Sequence, residues 1–197
     1  MIHTQSSQNK SNTQNRMNFV RFSRTSNAMK QPSQEVNNVV KNKSSPESKM
    51  TWGEPTWFLL HTLAQKISAE GFSQIRTELF QLIIRICSNL PCPECAEHAT
   101  KYLESIHFHA ITTKDDLKIL LWNFHNTVNE RKGYPLFSFE NLSKYNHANT
   151  GNIVRNFMHH FEKKGFNMRL AAHSFHRGLA ITYIRKWFAN YGHFLVQ

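Results

Sequence analysis

Leu90-Pro91-Cys92-Pro93-Glu94-Cys95-Ala96-Glu97-His98 is the stretch on which this chain turns. Proline is favoured at the first helical position, where its missing N–H costs no hydrogen bond, so Pro93 opens a helix with Cys92 at its N-cap. Ahead of it, Ile75, Leu79, Leu82, Ile83 and Ile86 recur at helical spacing between Ser73 and Asn89. A helix enters the turn and a helix leaves it, which predicts an all-α fold. Cys92 and Cys95 then lie one turn apart on the same side of the new helix, placed to close a small, exchangeable disulfide. The unpaired N–H groups and dipole of the first turn stabilise a thiolate at Cys92, marking it as the attacking and attacked sulfur. Cys95 is expected to be the more enclosed of the two.

Only three cysteines occur in 197 residues, too few for a disulfide scaffold or a four-cysteine zinc site. Cys92, Cys95 and His98 with His107 or His109 form an alternative Cys2His2 set, though at less regular spacing than structural zinc sites show. A glutaredoxin-like dithiol protein would carry the motif just after a β-strand, and the helical pattern ahead of Cys92 argues against that. The third cysteine, Cys87, ends an apolar helical run and reads as a buried, inert thiol.

Working outward, Trp52-Gly53-Glu54-Pro55-Thr56-Trp57-Phe58-Leu59-Leu60-His61 precedes the pair, and Trp122-Asn123-Phe124-His125-Asn126-Thr127-Val128-Asn129 follows it. Trp57 and His61 share one helix face, as do Trp122, His125, Asn126 and Asn129. A lone tryptophan on such a face is most often core and a lone histidine most often surface. Their ordered co-occurrence around a C-x-x-C-x-x-H reverses those odds. The series W-G-x-x-x-W-x-x-x-H, C-x-x-C-x-x-H and W-x-x-H-N-x-V-N resembles the Erv/ALR family of FAD-linked sulfhydryl oxidases, from roughly Thr51 to Asn146. The single cysteine pair is most similar to the compact members from large cytoplasmic DNA viruses.

That resemblance implies a four-helix bundle with a short fifth helix, working as a homodimer. It implies an FAD pocket lined by Trp52, Trp57, His61, His98, Trp122, His125, Asn126 and Asn129. It also implies that a substrate dithiol attacks Cys92, that Cys95 faces the flavin, and that dioxygen takes the electrons as hydrogen peroxide. The family's usual lysine falls at Tyr134 here, so Lys132, or Arg131 beside it, is expected to supply positive charge toward the FAD phosphates. No second cysteine pair is present, so Cys92 meets its dithiol protein, or a thioredoxin-like carrier, directly. A viral enzyme of this kind would act in the host cytoplasm or virion; the mitochondrial intermembrane space is the alternative. Two competing readings are a basic adaptor that binds zinc and an oxidase-derived scaffold that has lost turnover.

Charge divides the chain into three parts. Residues 1–50 carry a net charge of +6, residues 51–150 a net −1 and residues 151–197 a net +6. The first is a polar arm without apolar period, expected to be disordered, whose spaced arginines faintly suggest a transit peptide. The second is the oxidase domain, with helices expected at Thr51–Ala69, Ser73–Asn89, Pro93–Ser105, Thr113–Asn129 and, shorter, Phe139–Tyr145; Thr51 with Glu54 and Thr113 with Asp116 read as capping patterns. The third is a basic helical extension, Ile153–Lys164 and Leu170–Tyr191, whose apolar face is expected to pack on the domain. The basic flanks are candidates to contact an acidic partner or an anionic membrane surface. No secretory signal and no bilayer-spanning run is read.

Overall fold

The computed structural model describes residues 51–162 and 171–195. The arm at residues 1–50 lies outside them, as do Lys163, Lys164 and Leu170 at the edges of the C-terminal helices. Among the described residues six α-helices carry the fold: α1 Gly53–Lys66, α2 Ala69–Cys87, α3 Pro93–Glu104, α4 Lys114–Lys132, α5 Thr150–Phe161 and α6 Ala171–Tyr191. Short 3-10 runs cover Phe108–Ala110, Phe139–His147 and Gly192–Phe194. The fold is all-α, and the expected fifth helix is the 3-10 run at Phe139–His147.

The first helix, α1, is central: α4, α5 and the Phe139–His147 run all pack on it, so Leu59, Leu60, Leu63 and Ala64 are buried on one side and His61, Thr62 and Lys66 on the other. Helix α2 buries Leu79, Leu82, Ile83 and Ile86 as one stripe and packs against α3 and α6. Among the described residues no helix is long and apolar enough to cross a membrane.

The caps show where local reading succeeds and where it fails. Thr113 and Asp116 form a reciprocal capping box, the Thr113 side chain taking the Asp116 N–H while the carboxylate takes the Thr113 N–H. Thr51 and Glu54 do not. Trp52 holds the N-cap of α1 and makes no side-chain cap, which leaves Thr51 one residue early and Glu54 one short of the N3 position from which it would reach back.

The α1–α2 corner is also tighter than the expected Thr51–Ala69 and Ser73–Asn89 helices. Ile67 is extended (φ −62°, ψ 133°), and Ser68 caps α2, its Oγ accepting from the Gly71 N–H at 2.9 Å. The C-terminal end fixes this break: Ile67 pairs antiparallel with Leu195, and the Ser68 N–H donates to the Phe194 carbonyl at 3.2 Å. Gly71 allows that approach, since a Cβ there would stand 2.8 Å from Ser68 Oγ and 3.0 Å from Phe194 Cβ. Gly71→Ala is expected to destabilise the fold by about 1–2 kcal/mol through overpacking, read as a lower urea midpoint at unchanged m.

The last two helices close over the outside of the bundle. Phe157 and Phe161 of α5 are buried in the core shared with α1. Ile184 and Trp187 of α6 are buried toward α2, the Trp187 indole donating to the Glu78 carbonyl at 3.1 Å. The apolar face of α6 thus meets the chain's own core, as its amphipathic pattern predicts.

Candidate functional site

The redox motif sits where its sequence places it. Cys92 is the N-cap of α3 (φ −98°, ψ 114°), and its Sγ accepts from the Cys95 N–H at 3.2 Å. Both thiols are free and half-buried. Their surroundings differ. Cys95 packs on the core and stands in the wall of a cavity of about 1030 Å³, whereas Cys92 is absent from that wall. Burial, followed by the hydrogen bond and electrostatic influence of the neighbouring Cys92, pushes the Cys95 thiol up to about 11, while Lys132 and Arg131 pull it back down. Cys87 is fully enclosed and burial pushes it up to about 12, leaving an inert thiol.

Aromatic rings from four elements build the cavity. Trp57 of α1 stacks on His125 of α4 at 4.2 Å and 13°, and Tyr102 of α3 stacks on Phe124 at 4.5 Å and 14°. Phe58, Phe137 and Tyr145 complete the wall, and the Lys144 ammonium lies 5.1 Å from each of these three ring centres. Around this apolar body stand Arg131, Lys132 and Lys144 as cations, with Asn129 and Thr127 as polar groups. A cavity of this size, with flat aromatic walls and positive charge, suits a large planar ligand that carries anionic groups. Among the described residues no three His, Cys, Asp or Glu side chains gather at a metal-sized site, so the zinc alternative finds no ligand set there.

His61 lies behind this wall, buried, with Nε2 3.0 Å from His125 Nδ1. Burial, then the charges of His125 and Lys144, lowers His61 to about 3; burial and Lys144 lower His125 to about 4. Both imidazoles are therefore neutral in the folded protein at neutral pH. In the unfolded chain each titrates near 6.5, so the unfolded state binds protons first and the stability present above pH 6.5 is lost as pH falls toward the folded values. A loss of about 2 kcal/mol from His61 at pH 5 is expected, with less from the more exposed His125. Thermal melts from pH 7 to 5 check this, and His61→Gln is expected to flatten the dependence.

A second layer holds the loop that follows α4. Gly133 ends that helix in the left-handed region (φ 68°), which a side chain would strain, and the chain doubles back along the α4 surface. The Trp122 indole donates to the Phe137 carbonyl at 2.7 Å, and Asn126 both donates to that carbonyl at 3.0 Å and accepts from the Phe137 N–H at 2.7 Å. Asn129 donates to the Pro135 carbonyl at 3.1 Å. These bonds press Phe137 into the cavity wall, where it stacks on His125 at 4.8 Å.

The Erv1 / Alr family profile matches residues 54–148. The FAD-linked sulfhydryl oxidase of African swine fever virus (isolate Warthog/Namibia/Wart80/1980) is 32% identical over 45% of this chain and 73% of its own length. The chain belongs to the Erv1/Alr family. The FAD-linked sulfhydryl oxidases ERV1 of rice and Arabidopsis thaliana are 33% and 32% identical, matching 51% and 52% of this chain and 52% and 54% of their own lengths. The chain thus spans about half the length of these plant relatives. No solved structure matches it.

Of the residues picked from the sequence, Trp52, Trp57, Cys95, His98, His125, Asn129 and Lys132 line the cavity of this Erv1/Alr domain. His61, Trp122 and Asn126 stand one layer behind, and Cys92 stands outside. His98 is half-exposed, 3.6 Å from Glu94, and Glu94 lies 3.9 Å from Arg131, joining the start of α3 to the end of α4. Tyr134, where the family usually has lysine, is at the cavity rim and 55% exposed. Sequence reading missed Phe58, Tyr102, Phe124, Phe137, Lys144 and Tyr145. Tyr102 had a usable signal, seven residues from Cys95 on the same face of α3. Lys144 had none, since the 3-10 run that carries it lacks the α-helical period.

Proposed function

We propose that this chain is an FAD-linked sulfhydryl oxidase that converts protein dithiols to disulfides through Cys92 and Cys95. The observation that carries this reading is the division between the two thiols: Cys95 belongs to the wall of an aromatic, cation-bearing cavity, and its N-cap partner Cys92, half-buried, is not part of that wall. The residues present fit FAD. Trp52, Trp57, Tyr102, Phe124 and His125 supply flat apolar surface for its rings, and Arg131, Lys132 and Lys144 supply charge for its phosphates. Lys132 takes this role in place of the lysine replaced by Tyr134. When bound, FAD accepts two electrons from the reduced cysteine pair and passes them to dioxygen, giving hydrogen peroxide.

The chain's own residues perform the exchange steps. A substrate thiolate attacks Cys92 Sγ of the Cys92–Cys95 disulfide; a substrate–Cys92 bond forms and Cys95 leaves as thiolate. Lys132 and Arg131 favour that departure, offsetting part of the cost of a charge in a half-buried site. The second substrate thiolate then attacks the substrate sulfur of the mixed disulfide, and Cys92 leaves as a thiolate held by the first turn of α3. His61 and His125, neutral and bonded to one another, fix the ring stack that shapes the cavity without adding charge beneath it.

The homodimer and a viral setting, in host cytoplasm or virion, belong to this proposal through the family. The test is the visible spectrum of the purified full chain with its oxygen uptake on dithiothreitol. A yellow protein that consumes oxygen and releases peroxide is the expected result. A colourless, inactive protein would overturn the reading, and bound flavin without uptake would identify a scaffold that has lost turnover.

A further inference from the structure

His61 and His125 lie edge to edge, Nε2 of the first 3.0 Å from Nδ1 of the second, with their ring planes 33° apart. Two flat rings enclose this pair. Trp57 stacks on His125 at 4.2 Å and on His61 at 5.9 Å, while Phe137 stacks on His125 at 4.8 Å and on His61 at 5.5 Å. Among the described residues Trp57 and Phe137 make no ring contact with each other, so they cover opposite faces of the imidazole layer between them. Both faces of His125 are thus covered and its Nδ1 edge is turned to His61. The edge left to line the cavity is the one that carries Nε2.

One proton lies between the two rings, and the ring that owns it decides what the cavity meets. Both imidazoles are neutral at neutral pH, so each carries a single N–H. His61 Nδ1 is buried and has no hydrogen-bond partner among the described residues. If His125 donated to His61, the proton of His61 would sit on that Nδ1 as a buried N–H without an acceptor. If His61 donates, Nδ1 keeps only a lone pair there, and buried acceptors short of a partner are tolerated more often than buried N–H groups. The second arrangement also leaves both side chains in the Nε2–H form, the tautomer that a histidine side chain favours in water. His61 is therefore the donor, and the Nδ1 of His125 the acceptor.

We propose that His61 is a positioning residue that holds His125 as a hydrogen-bond donor, its Nε2–H presented to an acceptor atom of the ligand in the cavity. The choice of ligand rests on the FAD-linked oxidase reading; the lock itself is built from the chain's own rings. Trp57 and Phe137 fix the plane of His125, and His61 fixes its proton. At this point of the wall a ligand therefore meets an N–H and no ring lone pair. FAD answers it with a carbonyl oxygen, a ring nitrogen or a phosphate oxygen, whereas a ligand group with only N–H to offer would set two donors against each other.

Nitrogen-15 NMR of the full-length protein with labelled histidine reads the lock directly, because protonated and bare ring nitrogens resonate far apart. In the flavin-free protein at neutral pH, Nε2 of both residues is expected to carry the proton and Nδ1 of both to be bare, the signals being assigned by their loss in His61→Gln and in His125→Phe. A proton on His125 Nδ1 would overturn the lock. On addition of FAD the His125 Nε2–H signal should move downfield and its exchange with water slow, and a signal that bound flavin leaves untouched would overturn the contact with the ligand. Affinity supplies the second measurement. The double variant His61→Leu, His125→Phe removes both polar partners and keeps a flat ring between Trp57 and Phe137, so FAD titrated into the flavin-free protein is expected to bind about tenfold more weakly, the scale of one hydrogen bond. His61→Gln, whose amide still donates toward Nδ1, should bind within about threefold of wild type. Wild-type affinity in the double variant would also overturn the contact. If the wild-type protein takes up no flavin, the oxidase reading falls and the choice of ligand with it, while the flavin-free spectrum judges the lock separately.

Discussion

Cys95→Ser is expected to lower oxygen uptake on dithiothreitol by at least about a thousandfold while the protein remains yellow. The two halves of that result come from different features of the site. A serine hydroxyl cannot form the disulfide and is not ionised at neutral pH, so the route from substrate sulfur to the cavity is cut at the thiol of its wall that pairs with Cys92. Flavin retention should survive because Cys95 is one small side chain among the many that line the cavity, and neither the Trp57–His125 stack nor the nearby cations depend on it. Cys92→Ser is expected to lose turnover as well, since it removes the same disulfide from the other side. Uptake near the wild-type rate in the Cys95→Ser protein would show that electrons bypass this sulfur, and the division of labour between the two cysteines would be lost.

Much of this site was readable because its parts are local. Pro93 and the N-cap position of Cys92 depend only on neighbouring residues, and Trp57, His125 and Asn129 lie at helical periods whose faces meet in the cavity. What escaped reading depends on contacts distant in sequence. The break at Ile67 is set by Leu195, at the far end of the chain, so the corner between α1 and α2 carried no local mark except the capping serine. Phe137 and Lys144 reach the cavity from a loop and a 3-10 run, whose side chains follow no α-helical period. Lys144 matters most among these: it adds a third cation to Arg131 and Lys132 in the cavity lining. Trp122 and Asn126 were legible as a pair on one face, but the layer in which they act was not, because a helix face gives direction without depth.

That depth makes Asn126 the residue whose loss should spread furthest from its own position. Asn126→Ala removes both hydrogen bonds to the Phe137 backbone, leaving only the Trp122 indole on the Phe137 carbonyl and nothing from this side chain on the N–H. An unsatisfied N–H at a half-buried site costs about 1–3 kcal/mol. The loop can avoid that cost by swinging toward water, which carries Phe137 off His125 and opens the wall beside Lys144. Flavin affinity is therefore expected to fall about 10- to 100-fold in proportion to that cost, although alanine at this position touches no part of the cavity. Fluorescence of released FAD during dialysis measures it. Asn126→Asp tests the mechanism more closely: its carboxylate still accepts from the Phe137 N–H but presents a second oxygen to the Phe137 carbonyl, so it should retain flavin better than alanine at low pH, where protonation restores a donor, and lose that advantage as the pH rises. Equal retention by wild type, alanine and aspartate across that range would mean that Phe137 holds its place in the wall without Asn126.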